Sequence, residues 1–169
     1  LTYIVNHAED LLLFVDLTFV PILEAVKDRL PLEMKIIILT DKKHMPKTSL
    51  KSMCYEELLK DKPQKINWPD FNEDTAASLC YTSGTTGEPK GTLYSHRSTV
   101  LHAMMLAISL PNALKEGKKI LPVVPLFHVN AWGLPYAAPL TGAGLVFPGP
   151  KLDGDSLFNL MEAEKVYSA

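Results

Sequence analysis

The stretch "YTSGTTGEPKG", residues 81–91, places four hydroxyl side chains (Thr82, Ser83, Thr85, Thr86), three glycines and one lysine within eleven residues. Gly84 and Gly87 permit positive φ and let the backbone approach a ligand closely. Successive N–H groups in such a turn form a concave anion site, and Lys90 adds a full positive charge. Pro89 stiffens the segment just ahead of that lysine. The chemistry that asks for many small donors and one fixed cation is the binding of a polyphosphate. The Walker A pattern requires glycine directly before its lysine, and here that position is Pro89, so the loop shares the principle of that motif without matching it. A surface turn draws on the same residue types, but a generic turn does not require this ordering.

Other chemistry-bearing residues are scattered. The five histidines, His7, His44, His96, His102 and His128, show no metal-ligand spacing, and His96 and His102 are too far apart for one helical face. Taken singly, each reads as structural or exposed. Cys54 and Cys80 stand far apart with no CxxC partner, which argues against a disulfide framework or a zinc site and for a reducing, cytoplasmic compartment.

The elements that must position the loop follow a strand–helix rhythm. Residues 10–16, "DLLLFVD", read as a buried strand. A helix over residues 18–30 follows, with Thr18 near its cap and Val20, Leu23, Val26 and Leu30 at helical spacing. Residues 34–40, "MKIIILT", form a second strand, so strand, helix and strand suggest a βαβ unit in a parallel sheet. Residues 41–75 are polar, contain Pro46, Pro63 and Pro69, and read as a surface excursion with one short helix at 55–60. Residues 77–82 resume as a strand running into the loop, with 91–95 as its return partner. Ser95 is suited to cap a helix over 95–110 in which Val100, Met104 and Ala107 line one face. Residues 118–124 form a strand, and 129–140 a short helix interrupted by Pro135. Residues 142–147 and 154–169 continue the rhythm. The fold class is therefore α/β, with strand–helix repeats forming a mostly parallel sheet.

The chain of 169 residues is long enough for one domain with a sizeable core, and 47% of it is apolar, as in globular proteins. Net charge is −2 with both signs interspersed, so no footprint for nucleic acid is present. Residues 120–150 contain no Asp, Glu, Lys or Arg and have the length of a membrane span. They also contain six prolines and four glycines, which break any continuous helix and would leave backbone groups unsatisfied in lipid. Several short buried elements are expected there, and no transmembrane segment.

The loop as ordered, "YTSGTTGEPKG", resembles the signature loop of the adenylate-forming (AMP-binding) superfamily: acyl- and aryl-CoA synthetases, luciferases and peptide-synthetase adenylation domains. "PLFHVNAWGLPYAAPL" at 125–140, with "FPGPKLDG" and "HRSTVLH", narrows the resemblance to the fatty-acyl-CoA synthetase branch, medium- or long-chain fatty acid–CoA ligases. The resemblance covers nearly the whole chain. Thr92 departs from it, since relatives usually carry an aliphatic residue after the loop glycine, but a β-branched residue suits a strand equally.

The resemblance implies that residues 1–169 are an internal fragment of a large N-terminal domain. Residues 1–75 would be the βαβ unit and excursion, and residues 76–169 the phosphate-loop and acyl-site region. The C-terminal domain would be absent and the isolated fragment is expected to be inactive. It further implies a two-step ligation, in which a carboxylate attacks the α-phosphate of ATP, giving acyl-adenylate and pyrophosphate, and the thiol of CoA then displaces AMP. ATP would be held by Thr82, Ser83, Gly84, Thr85, Thr86, Gly87 and Lys90. Thr82, with Thr85 second, would offer a hydroxyl near Mg²⁺. His128, Val129 and Trp132 would stand at the junction of nucleotide and acyl sites, Trp132 either as a gate or as a plain core residue. No catalytic residue is assigned. ATP, Mg²⁺, CoA and a fatty or similar carboxylic acid are the implied cofactors and partners, and a homodimer is compatible with them. An amino-acid substrate would require a carboxylate for its ammonium, and residues 121–150 supply none. An aryl-CoA ligase, a luciferase-like enzyme, or for the fragment a non-catalytic phosphate-binding module are the other readings.

Overall fold

The computed structural model describes residues 1–83 and 87–169. The chain divides into two compact units, Leu1–Pro69 and Asp70–Ala169.

In the first unit a short helix α1 (Thr2–His7) precedes strand β1 (Leu12–Val15), helix α2 (Val20–Val26) and strand β2 (Lys35–Ile38). β1 and β2 pair in parallel, as the βαβ pattern predicts. Their register brings the β-branched run of β2 against Val15. Val15, Val20, Leu23, Leu30, Ile36 and Ile38 are buried together, with Val26 packed on them, so the helical spacing read from sequence is the spacing of the core. The cap differs from expectation. Asp16, not Thr18, caps the 3₁₀ turn that leads into α2, its Oδ1 accepting from the Thr18 N–H at 2.9 Å and from the Thr18 hydroxyl at 2.8 Å.

The reading of residues 41–75 as an excursion needs correction. A third strand, β3 (Ser52–Cys54), pairs in parallel with β2 and precedes α3 (Tyr55–Leu59). Leu50 is buried in the core, and Glu24 on α2 anchors the approach to β3 by accepting from the Thr48 hydroxyl at 2.7 Å and the Ser49 N–H at 2.9 Å.

In the second unit β4 (Ala76–Thr82) and β5 (Lys90–Ser95) form the antiparallel hairpin anticipated from sequence. Helix α4 (His96–Ser109) follows, with Ser95 and Ser98 forming a reciprocal capping box. Its buried face is not the one expected. Val100 and Met104 are about half exposed, while Ala103 is buried and Leu106 packs beside it. Small residues decide this, because Ala103, Ala137 and Ala138 let α4 and α6 (Leu134–Thr141) approach closely. Two short strands, β6 (Lys119–Ile120) and β7 (Gly144–Leu145), pair in parallel. After helix α7 (Gly154–Glu164), capped by Asp153, the chain returns to bridge Ile120 with Ser168. Among the described residues no helix is long and apolar enough to cross a membrane.

Residues 129–140 do not form one helix broken at Pro135. Val129–Trp132, labelled α5, is a left-handed turn with φ of 49°, 51°, 50° and 54° in order, and Gly133 follows at φ 76°. Pro135 sits in the first turn of α6, where its fixed φ and missing N–H suit a helix start.

Candidate functional site

The hairpin fixes two of the anticipated residues by register. Thr82 and Lys90 are the last paired rung, so their Cα atoms stand about 4.5–5.5 Å apart and their side chains share one face. Thr82, Ser83, Gly87 and Lys90 are all exposed. Gly87 adopts φ 98°, with nothing within 4 Å of where a Cβ would stand, so the backbone there is open to a close-fitting guest. Among the described residues Lys90 forms no ion pair. Gly84, Thr85 and Thr86 lie outside the described residues.

Side-chain alternation along β4 places Ser78 and Cys80 on the same face as Thr82, two steps and one step back from it. Asn130, in the left-handed turn, binds both: its Nδ2 donates to the Ser78 hydroxyl at 2.8 Å, and the Cys80 thiol donates to its Oδ1 at 3.3 Å. The turn is thereby tied to the strand that ends at Thr82. On the other side, His102 of α4 donates from Nε2 to the Trp132 carbonyl at 3.1 Å. The imidazole packs over Gly133, where a Cβ would stand only 2.5 Å from the His102 Cδ2. A cavity of about 260 Å³ lies in this angle, lined by Tyr94, Thr99 and His102 with Val129, Asn130 and Tyr136. That is close to the lower bound, about 300 Å³, of ordinary small-ligand sites.

The turn carries the other residues anticipated from sequence. His128 precedes it, exposed and extended at φ −98°, ψ 102°. Val129 lines the cavity, and Trp132 is 58% exposed rather than enclosed in a core. Left-handed backbone costs a non-glycine residue about 1–2 kcal/mol. Asn tolerates it best, and a β-branched Val is a true outlier. Four such residues in succession, gathered where the hairpin and α4 meet, form the kind of strained segment that concentrates at functional sites.

Sequence reasoning passed over Asn130 and His102. The signal available was an Asn and a Gly, the two residues most at ease with positive φ, three positions apart in "HVNAWG". Thr82 and Ser83 offer exposed hydroxyl oxygens, a donor type that Mg²⁺ accepts when phosphates supply its other ligands.

The chain resembles known proteins over nearly its whole length. The family described as AMP-binding enzyme matches residues 1–168. A medium-chain-fatty-acid–CoA ligase of Ectopseudomonas oleovorans is 47% identical over 167 residues, covering 98% of this chain and 31% of the relative. A 3-methylmercaptopropionyl-CoA ligase of Ruegeria lacuscaerulensis is 44% identical over 163 residues, covering 96% of this chain and 30% of the relative. Among solved structures, the anthranilate CoA ligase AuaEII in complex with anthranoyl-AMP superposes with a TM-score of 0.77 at 22% identity, covering 98% of this chain and 31% of that one. At that identity the likeness concerns the fold. The chain spans about a third of the length of these relatives.

Proposed function

The chain belongs to the AMP-binding enzyme family, and from that premise we propose that it forms the phosphate-loop and acyl-site region of an ATP-dependent acid–CoA ligase. The substrate is a fatty or other apolar carboxylic acid. Its carboxylate oxygen attacks the α-phosphorus of ATP, the bond to the bridging oxygen breaks, and pyrophosphate leaves. The CoA thiol then attacks the acyl carbonyl and AMP departs.

The single observation that carries this reading is the clamp from Asn130 to Ser78 and Cys80. It joins the strand that ends in the phosphate loop to the segment that ends in Trp132. In such a reaction the protein mainly positions reactants and stabilises charge on the leaving group. Lys90 and the N–H groups of the loop receive the β- and γ-phosphates. Thr82, with Thr85 second, would hold Mg²⁺, which would neutralise charge on the polyphosphate. His128, Val129 and Trp132 face the acyl side of the junction. The absence of acidic residues from 121–150 suits an apolar tail, and the similarity to ligases named for a medium-chain fatty acid and for 3-methylmercaptopropionate supports a neutral acid of modest length. Two free, buried cysteines suit a reducing, cytoplasmic setting.

The test is ATP–pyrophosphate exchange by the full-length parent with a panel of acids. Exchange driven by straight-chain acids and not by amino acids is expected. Exchange driven by amino acids alone would overturn the substrate assignment.

A further inference from the structure

We propose that His102 and Asn130 are positioning residues that hold the left-handed turn Val129–Trp132 in its strained form, and that they divide the work: His102 fixes the acyl side and Asn130 registers the turn on the phosphate loop. The proposal rests on the ligase reading above for its kinetic consequences, and on the hydrogen-bond geometry alone for its structural one.

The backbone ties of the turn include the Ala131 N–H to the His128 carbonyl at 3.0 Å and the Gly133 N–H to the Asn130 carbonyl at 3.1 Å, and side chains from elsewhere add to them. Val129, Ala131 and Trp132 have no intrinsic preference for positive φ. A right-handed path would let residues 129–132 run on into α6 and would carry Trp132 and the Asn130 amide to other directions. Side chains from two other elements oppose that change. From β4, Ser78 and Cys80 engage both ends of the Asn130 amide. From α4, His102 donates to the Trp132 carbonyl at the far end of the turn. A carbonyl only accepts, so Nε2 carries the proton whether the ring is neutral or charged. Gly133 makes room for the ring, since any larger residue would displace it.

The two ties act on different sides of the site. Cutting the His102 tie frees the end that carries Trp132 while β4 keeps its place. Cutting the Asn130 tie uncouples the turn from the strand that bears Thr82.

The experiment uses the full-length parent carrying His102→Phe, His102→Gln and Asn130→Leu, with KM for acid and for ATP taken separately from the exchange reaction. Phe keeps the ring and removes the donor, and Gln restores a donor near the Nε2 position. His102→Phe should raise the acid KM about tenfold, the effect of one lost hydrogen bond of ordinary strength, and leave the ATP KM within about twofold. His102→Gln should return the acid KM to within about threefold of the parent, and Asn130→Leu should raise both constants. Amide hydrogen exchange of residues 128–137, by mass spectrometry on the same proteins, supplies the readout independent of chemistry. It should rise in His102→Phe and Asn130→Leu and fall back in His102→Gln. Equal effects of His102→Phe on both constants, or no rescue by Gln in either measurement, would overturn the proposal. An unmutated parent that shows no acid-dependent exchange would refute the ligase reading instead, and the hydrogen-exchange pattern would then still decide whether the turn is held as proposed.

Discussion

Replacing Lys90 with alanine isolates the charge at the mouth of the hairpin. Lys90 is exposed and forms no ion pair among the described residues, so its removal breaks no ion pair seen there. Substitutions at such surface positions usually change stability by no more than about 0.5 kcal/mol. A hydrogen bond from a charged donor to a phosphate oxygen contributes about 1.5–3 kcal/mol. At 1.36 kcal/mol per factor of ten, that is a loss of roughly 10- to 160-fold in kcat/KM for ATP. The β-ladder pairing of residue 90 with Thr82 involves backbone alone and survives the change. The assay is ATP–pyrophosphate exchange at saturating acid, with thermal unfolding on the same preparation. Lys90→Arg should recover part of the loss, because it keeps the charge but not the shape. If Lys90→Ala left exchange untouched and slowed only the transfer to CoA, the placement of the triphosphate over this rung would be wrong.

Three further outcomes follow from the geometry. Trp132→Ala should cost about 1–2 kcal/mol, the 3–5 kcal/mol of a buried site scaled to a side chain 58% exposed, and should alter the acid chain-length profile. A larger loss of stability with an unchanged profile would make Trp132 a core residue. Gly133→Ala combines a left-handed alanine, about 1–2 kcal/mol, with displacement of the His102 ring, about 1 kcal/mol more, so a loss of about 2–3 kcal/mol is expected from denaturant midpoints. The hydroxyl of Thr48, the Ser49 N–H and, more weakly, Lys27 hold the Glu24 carboxyl below its ordinary 4.5. A carboxyl lowered in the folded state stabilises above its unfolded pKa and loses that contribution as pH falls through the folded value. Urea midpoints should therefore drop between pH 7 and pH 4 by more in the parent than in Glu24→Gln.

The parts of the fold that were legible from sequence are those governed by local chemistry. Ser95 announced its helix because a hydroxyl followed by a polar partner three residues on satisfies orphan N–H groups in place. The β1–α2–β2 core followed from apolar spacing, and the β4–β5 hairpin from two strands facing each other across a glycine-rich loop. β3 was missed because its three residues gain their strand character from pairing with β2, a contact no local pattern encodes. The face of α4 was misassigned because burial there follows the close approach of alanines, whose small side chains weigh little in a hydrophobic pattern. The left-handed turn was hinted at only by Asn130 and Gly133: Val129 and Trp132 have no preference for it, and its hydrogen bonds with His102, Ser78 and Cys80 reach elements distant in sequence. The hairpin that bears Thr82 and Lys90 was readable, and the side chains that tie its first strand to the left-handed turn were not.

The central claim is that a carboxylate attacks the α-phosphorus of ATP at this site, and oxygen labelling tests it most directly. The full-length parent is incubated with ATP, CoA and a straight-chain acid labelled with heavy oxygen in both carboxylate positions, and the products are analysed by mass spectrometry. One labelled oxygen should appear in AMP and none in pyrophosphate, because the attacking oxygen remains on the α-phosphorus when the thiol displaces AMP. Label appearing in orthophosphate, with ADP as the nucleotide product, would contradict the account.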